Sequence, residues 1–525
     1  MKNLPIGIQS FEDLRKNDYM YIDKTQDIHR LIATGKIYFL SRPRRFGKSL
    51  LVSTLDTLFR AQKELFEGLY IYDKWDWSQR YPVIRLDFSG LAYSNSDELT
   101  VSLNLFMEKT AENYQFSLSS APLSNRFSYL IESLHKATGQ KVVVLIDEYD
   151  KPITDHLSNP ATMKANQKIL HDFYQVLKAA DDHIRFVFMT GVSKFSGLSI
   201  FSALNSLNDI TLDKKYASIC GYTQEELEYN FSEYIDDVAQ YLPMNREELL
   251  ELIRARYKGY SWDGKTAVYN PFSSLLFFDN REFANYWFRT GTPTFLINML
   301  KSRNQIAPVM QPIVAGANTF DSYDPANIDE IPLLFQTGYL TVKQRTLIGG
   351  VPEYTLDFPN LEVRDAFLNY LLSAYADYSV GQVQPLVHVL QRQVRNKDAA
   401  GFEQNLRILF AHIPYEIHVK SEAYYHSMFL LLMKMLGFDI QGQIQTNIGR
   451  IDAVWHQPEL TVVAEIKYGA GKDTNTLLDE AMTQIRDRRH YEKYLDGEVL
   501  LLAVAFTGKE VKCGMEEVGE LKTKN

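Results

Sequence analysis

Lys36 to Leu58 have the sequence KIYFLSRPRRFGKSLLVSTLDTL. The apolar run Ile37 to Leu40 predicts a short buried strand, and the leucines after Gly47 predict a helix with a broad apolar face. A tight turn at residues 41–46 joins the two. A buried strand that turns directly into a helix predicts an α/β fold with a parallel sheet.

The residues at this turn indicate a phosphate site. Gly47, Lys48 and Ser49 have the pattern of the end of a P-loop. In such a loop free backbone N–H groups surround a phosphate, the lysine reaches the outer phosphates, and the hydroxyl binds Mg²⁺. We therefore predict that these three residues bind a nucleotide and that Ser49 is a metal ligand.

Four residues before Gly47 depart from the usual loop or add charge to it. Arg42 stands where a first glycine is usual, and Pro43 has no N–H to offer. Arg44 and Arg45 supply positive charge where backbone donors are missing, and we include Arg45 in the predicted nucleotide site. The alternative is a basic turn that merely contains Gly-Lys-Ser.

A second stretch favours the nucleotide site. Residues 141–150 read KVVVLIDEYD, in which five apolar residues are followed by Asp147 and Glu148. This is the pattern of a Walker B strand, in which the aspartate would hold Mg²⁺ and the glutamate would orient and polarise the attacking water. The alternative is a buried strand that ends in solvated acids.

A third strand is predicted over Ile184 to Thr190. It ends in polar Thr190 and Ser193, where a sensor residue of a nucleotide site would stand, and we predict that Thr190 contacts the nucleotide. Three strands that end in compatible side chains make an accidental match improbable. The sequence therefore predicts ATP and Mg²⁺ as cofactors, with Glu148 as the catalytic residue.

Composition limits the class of protein. The 525 residues suffice for about three domains, and the net charge of −9 restricts any nucleic-acid contact to a local basic patch. Cys220 and Cys513 match no metal-site spacing and suggest a reducing, cytoplasmic compartment. No signal sequence and no apolar run of about 18 residues is present, so no membrane partner is expected.

The middle of the chain changes in character after Ser193. Thr223 and Glu226 form a capping-box start to a helical region, and Gly349-Gly350 predicts the turn of a hairpin. Helices followed by a two-stranded wing suit a winged-helix-like module; the alternative is a plain helical linker domain. We predict domains at 1–205, 206–400 and 401–525, with the middle one mainly helical.

The third domain holds a second set of chemical groups. A helix is predicted over Ser421 to Gly437, with Glu422 on it. Strands are predicted over residues 450–456 and 460–468; the first contains Asp452 and the second contains Glu465 and Lys467. Residues two apart in a strand leave the same face, so Glu465 and Lys467 share one face. This order, continued by a helix and a closing strand, resembles the PD-(D/E)xK nuclease superfamily.

A physical reason supports a metal at this position. Two carboxylates about 4 Å apart repel by roughly 4 kcal/mol at an effective dielectric constant of 20. Asp452 and Glu465 therefore call for a divalent cation, and their oxygens suit Mg²⁺ or Mn²⁺. The metal would activate water, Lys467 would orient it, and Glu422 could complete the shell. The alternative is a surface hairpin in which Glu465 and Lys467 merely pair.

The helix predicted over Leu477 to Arg489 carries Gln484, which fits the superfamily's Gln-x-x-x-Tyr pattern only loosely because Tyr491 comes seven residues later. A local basic stretch overlaps this helix and could meet the phosphates of DNA. It consists of Arg486, Arg488, Arg489 and Lys493. The default alternative is a solvated helix face.

Four motifs together resemble a known family. YIDKT at 21–25, RPRRFGKS at 42–49, LIDEYDKP at 145–152 and TGVSKFS at 190–196 are similar to bacterial AAA-ATPase-like proteins with a C-terminal PD-(D/E)xK nuclease domain. The arginine-rich version of the loop is characteristic of that group. The resemblance covers roughly residues 4–205 and 410–510, and it implies the domain content and a bacterial origin.

Three functions are compatible with these motifs. The first is an ATP-dependent or ATP-regulated DNA-cleaving enzyme, the second an ATP-driven binding switch whose nuclease-like domain only grips nucleic acid or a partner, and the third a signalling NTPase. Intact Asp452, Glu465 and Lys467 favour the first. A homo-oligomer is compatible with all three, and Arg42, Arg44 and Arg45 are candidates for an arginine finger.

Overall fold

The computed structural model describes residues 1–194, 207–288, 294–303, 312–321, 329–376, 379–411, 431–441, 451–456, 460–469, 471–489, 491–507 and 510–518. The chain forms two compact units. The first unit comprises Met1–Thr290 with Ile313–Val363, and the second comprises Gly291–Pro312 with Arg364–Asn525.

Helices and strands alternate along much of the chain. The helices are α1 (Phe11–Lys16), α2 (Thr25–Thr34), α3 (Lys48–Phe59), α4 (Ser96–Asn113), α5 (Leu123–Thr138), α6 (Lys151–Thr154), α7 (Pro160–Ala179), α8 (Gln224–Asn230), α9 (Ser232–Tyr241), α10 (Arg246–Tyr257), α11 (Pro271–Asn280), α12 (Thr294–Arg303), α13 (Ala317–Asp321), α14 (Glu330–Gln336), α15 (Leu361–Ala376), α16 (Val380–Arg395), α17 (Ala399–Ala411) and α18 (Thr474–Arg488). The strands are β1 (Ile37–Ser41), β2 (Val83–Asp87), β3 (Val142–Asp147), β4 (Ile184–Gly191), β5 (Asn208–Asp209), β6 (Ile313–Gly316), β7 (Thr341–Ile348), β8 (Val351–Asp357), β9 (Asp439–Gln441), β10 (Ile451–His456), β11 (Leu460–Tyr468), β12 (Glu498–Thr507) and β13 (Glu510–Glu517).

A parallel sheet of five strands is the centre of the first unit, in the order β2-β3-β4-β1-β5. Every residue of β1 and of β3 is buried. A parallel strand that is covered on both faces reads as a continuous apolar run, which is why these strands could be predicted from their sequence. The predicted α/β class with a parallel P-loop sheet is confirmed.

Residues 94–138 are mostly helical and contain two helices. α4 begins after Asn95, whose side chain accepts hydrogen bonds from the backbone of Asp97 and Glu98, and α5 begins after Pro122. α5 packs on α7 through stacked rings of Phe127 and Phe173, with centroids 4.1 Å apart.

The remaining part of the first unit is mainly helical and carries a small antiparallel sheet. α8 begins with the predicted capping box of Thr223 and Glu226. β7 and β8 form the predicted hairpin around Gly349 and Gly350, and β6 pairs with β8. A winged-helix identity and the three-domain division stay predictions.

A second sheet is the centre of the second unit, in the order β13-β12-β11-β10-β9. β11 and β12 are parallel, and the other neighbours are antiparallel. β11 has the predicted bounds. α18 begins three residues before the predicted start at Leu477 and ends one residue before the predicted end at Arg489, and β13 was not predicted. Of the helix predicted over residues 421–437, only residues 431–437 lie within the described ranges, and 431–436 are helical.

Across the residues that the structure describes, no helix is both long enough and apolar enough to cross a membrane.

Candidate functional site

Three neighbouring strands bring the predicted nucleotide residues to one edge of the first sheet. β1 and β4 are paired with Leu40 opposite Thr190, and β3 ends beside them at Asp147. The turn after β1 leads into α3 at Lys48. Because the carboxyl ends of parallel strands meet at the same edge, Lys48, Asp147 and Thr190 lie together.

The turn over residues 42–47, here named the phosphate-binding loop, has a backbone suited to an anion. Arg45 and Gly47 have positive φ angles of 69° and 85°. Gly47 is the N-cap of α3 and makes no side-chain cap. Loops that alternate between right- and left-handed residues direct successive N–H groups into a shared concavity, which binds anions. This geometry agrees with a phosphate site at the start of α3.

Lys48 is folded back onto the loop. Its Nζ donates hydrogen bonds to the backbone carbonyl oxygens of Arg42 and Pro43, at 2.9 and 3.0 Å. Burial lowers the pKa of Lys48, while the negative charge of Asp147 acts in the opposite direction. The ammonium therefore lies between the loop carbonyls and the acids at the end of β3.

Arg42 has a structural role that the sequence did not reveal. Its guanidinium donates to the carbonyl oxygens of Ser41, Thr211 and Tyr216 at 2.8–3.2 Å, and it lies 3.8 Å from the ring centroid of Trp262. It is fully buried, and burial lowers its pKa to about 10. As an arginine-finger candidate Arg42 is already engaged, because its Nη1 and Nη2 donate to backbone carbonyls and its guanidinium is buried.

Asp147 has an oxygen without a partner. Its Oδ1 accepts the backbone N–H of Glu148 at 3.0 Å, whereas Oδ2 is buried and has no hydrogen-bond partner among the described residues. Burial raises the pKa of Asp147, and the Ser49 hydroxyl and the charge of Lys48 oppose that rise. An unsatisfied buried acceptor is costly, so a cation at this position would offset the cost. Asp147 and Ser49 therefore fit the Mg²⁺ that accompanies a nucleotide.

Glu148 follows in a strained backbone conformation with φ of 51°. Positive φ is uncommon for residues other than glycine, and it turns the side chain away from the path of a regular strand. Burial raises the pKa of Glu148, and the charges of Lys48 and Lys151 oppose the rise. A half-buried carboxylate at this edge can accept a hydrogen bond from water, which is compatible with the predicted role of orienting and polarising the attacking water; that role stays a prediction.

Thr190 and Asp150 hold the end of β4. The Thr190 hydroxyl donates to the Leu40 carbonyl at 2.8 Å, so it links β4 to β1. Asp150 is buried and accepts the backbone N–H groups of Val192 and Ser193, the latter at 2.7 Å. These bonds fix residues 190–193, here named the sensor turn. A nucleotide contact of Thr190 stays a prediction.

Sequence reasoning missed Asp87. It ends β2 at the position paired with Asp147, and its Oδ1 accepts from the N–H and hydroxyl of Ser89. The main cause of the raised pKa of Asp147 and of Glu148 is burial, and the negative charge of Asp87 is a smaller cause that acts in the same direction. The signal was present, because the apolar-rich residues 83–86 are followed by Asp87 much as the apolar run of β3 is followed by Asp147.

An apolar cleft opens beside Gly47 and was also missed. Its walls include Tyr21 and Tyr222, and Lys24 is a charged residue on its lining. Lys24 Nζ lies 2.6 Å from a carboxylate oxygen of Glu226. A mostly apolar cleft with few polar groups suits the flat face of a nucleotide base. The only sequence signal was the YIDKT motif, which was noticed as part of a family resemblance.

The second predicted site lies on β10 and β11. Asp452 is directly opposite Glu465 in the antiparallel register, and Lys467 follows two residues after Glu465. Glu465 is buried, and its Oε1 accepts a hydrogen bond from Gln484. Arg488 Nη1 lies 3.9 Å from Glu465 Oε2. The structure thus brings the two predicted carboxylate residues to facing positions.

One face of α18 supports these strand residues. Glu480, Gln484 and Arg488 are four residues apart, and this spacing places them on the same side of a helix. Glu480 Oε2 lies 3.2 Å from Lys467 Nζ, while Gln484 contacts Glu465. The sequence analysis gave Gln484 only a loose family match and did not single out Glu480.

The predicted metal residues agree with a divalent cation by register and residue type. Asp452 and Glu465 occupy facing positions, and aspartate and glutamate oxygens are ligands that Mg²⁺ and Mn²⁺ prefer; the Asp452 side chain lies outside the described part of the structure. Glu422, the predicted third ligand, lies outside the described residues. Within the described ranges no group of three or more His, Cys, Asp and Glu side chains could hold a metal ion. The residues that would hold the ion are therefore Asp452 and Glu465, with Glu422 a prediction.

The predicted basic stretch is largely paired with acids. Arg486 bonds to Glu516, Arg488 lies 3.9 Å from Glu465, and Arg489 lies 3.2 Å from Glu492. The side chain of Lys493 lies outside the described residues. A phosphate that docks here must compete with these carboxylates, so a DNA contact through this stretch stays a prediction.

Comparisons with known proteins match the two predicted domain types. Residues 5–201 match a family model described as "Predicted AAA-ATPase", and residues 420–516 match a model of the PD-(D/E)XK nuclease superfamily. A protein of Azotobacter chroococcum mcd 1 is 38% identical over 515 residues, which is 96% of each chain; its name is "Uncharacterized protein in vnfD 5'region". No solved structure matches the chain. The chain therefore belongs to the family of bacterial proteins that combine an AAA-ATPase-like domain with a C-terminal domain of the PD-(D/E)XK nuclease superfamily.

Proposed function

We propose that the protein binds and hydrolyses ATP with Mg²⁺ and cleaves nucleic-acid phosphodiesters with a second divalent cation. Lys48 binds the outer phosphates, Ser49 and Asp147 hold Mg²⁺, and Glu148 orients the attacking water. In the C-terminal domain Asp452 and Glu465 hold the cation and Lys467 acts beside it. The nucleic acid is DNA in this proposal, and ATP regulates or drives the cleavage.

The unpartnered Oδ2 of Asp147 carries the nucleotide part of the proposal. This buried oxygen belongs to the same site as Ser49 and Lys48, whose effects on the Asp147 pKa oppose that of burial. A magnesium-bound phosphate would satisfy the carboxylate and the ammonium together. A basic turn without a ligand gives no reason for a buried carboxylate at this edge.

The register of β10 and β11 supports the nuclease part. Asp452 faces Glu465, and Lys467 leaves the same strand face as Glu465. A cation between two carboxylates lowers their repulsion and can lower the pKa of a bound water. The ammonium of Lys467 would then lie beside that water and the developing phosphorane charge.

One observation favours a second function, an ATP-driven binding switch without cleavage. Glu465 accepts a hydrogen bond from Gln484 and lies close to Arg488, and Lys467 lies close to Glu480. If these pairs persist when metal is present, the strand residues cannot serve a reaction. The domain would then only bind nucleic acid or a protein partner.

Three measurements on one preparation separate these functions. Calorimetry with Mg²⁺ measures ATP binding, and release of phosphate measures hydrolysis. Labelled single-stranded DNA, duplex DNA and RNA, each with Mg²⁺ and with Mn²⁺, test cleavage in the presence and absence of ATP. ATP binding with no cleavage of any substrate would favour the switch, and no ATP binding would overturn the nucleotide site.

Three further proposals accompany this function. The domain division at residues 205 and 400 and a cytoplasmic location are predictions from the sequence, and a homo-oligomer is compatible with it. Limited proteolysis, cell fractionation and sedimentation measure them in turn.

A further inference from the structure

The phosphate-binding loop is enclosed by residues that are distant in sequence. Each of its residues from Arg42 to Phe46 contacts a side chain or glycine between positions 260 and 338. The partners are Trp262 for Arg42, Gly338 for Pro43, Trp287 for Arg44, Phe272 for Arg45, and Tyr260 with Trp262 for Phe46. All of these residues belong to the first compact unit.

Trp287 fixes one peptide plane of the loop. Its indole N–H donates to the backbone carbonyl oxygen of Arg44 at 3.0 Å. A trans peptide is planar, so the carbonyl of one residue and the N–H of the next point in opposite directions. By holding the Arg44 carbonyl, Trp287 directs the N–H of Arg45 to the other side of the plane, away from Trp287.

Trp287 is itself held from behind. Its backbone N–H donates to Glu362 Oε1 at 2.7 Å, and Glu362 Oε2 accepts the Ser273 hydroxyl at 2.8 Å. Trp287 and Glu362 are both buried. The indole is therefore held in place from a packed polar centre, and the orientation of the Arg44 peptide depends on that centre.

Gln336 holds the other side of the nucleotide site. Its Oε1 accepts the backbone N–H of Lys194 at 3.1 Å, and its Nε2 donates to the Lys194 carbonyl at 3.3 Å. Lys194 directly follows the sensor turn. Two residues later Gly338 lies against Pro43, where an added Cβ would be 2.7 Å from the proline ring. One short segment therefore contacts both the phosphate-binding loop and the residue after the sensor turn.

We propose that Trp287 and Gln336 are positioning residues of the nucleotide site. Trp287 orients the loop peptide whose N–H groups receive the phosphates, and Gln336 holds the sensor turn in register with the loop. This inference rests on the proposed ATP function. It adds that two residues outside the predicted nucleotide motifs act through backbone groups of the loop and of Lys194.

Two substitutions remove these hydrogen bonds. Trp287→Phe removes the indole donor and keeps an aromatic ring. Its matched control is Trp75→Phe, because the Trp75 indole nitrogen is buried and has no hydrogen-bond partner in the described part of the chain. Gln336→Leu removes both amide contacts, and its control is Gln344→Leu at an exposed position of β7.

The readouts are KM and kcat for ATP hydrolysis, together with the melting temperature without nucleotide. Trp287→Phe is expected to raise KM roughly threefold or more with kcat within twofold, on the scale of one lost hydrogen bond. Gln336→Leu acts on the sensor turn and is expected to lower kcat roughly threefold or more with KM within twofold. Both controls stay within twofold of the wild type.

Several outcomes overturn the inference. Variants with the same KM and kcat as their controls would overturn it. Variants in which KM and kcat both change and the melting temperature falls would also overturn it, because that result indicates a general loss of stability. If Trp287→Phe does not fold, the kcat of Gln336→Leu decides. A wild type that binds no ATP overturns the proposed function and this inference with it, whereas normal ATP kinetics in both variants overturn the inference alone.

Discussion

Asp87 and Asp147 occupy paired positions at the ends of two neighbouring parallel strands. Glu148 follows Asp147, so three carboxylates gather at this edge of the sheet. Burial raises the pKa of Asp147 and of Glu148, and Lys48 opposes both rises. Lys48, which directly follows the phosphate-binding loop, thus lies where its charge balances these acids and where we propose that the phosphates of ATP bind.

Replacement of that lysine should remove nucleotide binding. In Lys48→Ala the phosphates meet the acids without the ammonium, and the loss of charged hydrogen bonds should weaken ATP binding roughly 10- to 150-fold. Calorimetry measures the change, and Lys109→Ala on an exposed part of α4 is the control. Unchanged affinity in a folded Lys48→Ala protein would remove the P-loop assignment.

Glu148→Gln should separate binding from hydrolysis. The amide cannot accept a proton from water, so kcat should fall roughly 100-fold or more while ATP still binds. Phosphate release and calorimetry give the two values. Asp150→Asn is the informative comparison: the Asp150 carboxylate is bonded to backbone N–H groups of the sensor turn, so its loss should destabilise that turn. Equal hydrolysis by Glu148→Gln and the wild type would move the role to another acid.

Gly191 should not tolerate a side chain. An added Cβ would lie 2.4 Å from Asp150 Oδ1 and 2.7 Å from the Tyr149 ring. Gly191→Ala should therefore lower the free energy of unfolding by about 1–3 kcal/mol, in the range of overpacked sites. Chemical denaturation measures this, and Gly90→Ala is the control because no atom lies within 4 Å of its added Cβ. Equal stability of the two variants would show that the turn can move.

Glu362 should make stability depend on pH. Burial raises its pKa from 4.5 to about 7. A raised pKa means that the folded state holds the proton more tightly, so this contribution is fully present below pH 4.5 and is lost as the pH rises through about 7. The loss amounts to roughly 3 kcal/mol over that window.

Glu362→Gln tests the origin of this dependence. Glutamine does not titrate, so the fall in melting temperature between pH 5 and pH 8 should be smaller in the variant than in the wild type. The comparison is made on the slope, since the amide also changes the contact with Trp287. Identical slopes would assign the dependence to other groups.

Local sequence patterns predicted the acids at the edge of the first sheet but not the residues that hold the loop beside them. Asp147 and Glu148 could be found because an apolar run ends in acids at the carboxyl end of a strand. The role of Arg42 could not, because Thr211 and Trp262 come from remote parts of the chain and no local pattern links them. Trp287 was missed for the same reason, since its partner in the loop is a backbone carbonyl.

The second unit shows the same limit. β11 was predicted with its observed bounds because its residues are β-branched and apolar. β13 was missed because EVKCGMEE is mostly polar, and its pairing with β12 supplies what its sequence lacks. α18 begins earlier than predicted, after Asp473, whose side chain accepts the N–H of Thr476. This N-cap signal was available in the sequence and was not used.

The proposed function joins an ATP site to a metal-dependent nuclease site in one chain. We would measure cleavage of labelled nucleic acid by the wild type and by Asp452→Ala, with Mn²⁺ or with Mg²⁺, and with or without ATP. ATP hydrolysis by the same two protein preparations is then measured without nucleic acid. Lys467→Ala is the companion variant, expected to keep Mn²⁺ binding and to lose cleavage. We expect that the wild type cleaves nucleic acid, that Asp452→Ala neither cleaves it nor binds Mn²⁺ at this site, and that both proteins hydrolyse ATP equally. A wild type that cuts no nucleic acid under any of these conditions and binds no Mn²⁺ at this site would overturn the proposed function.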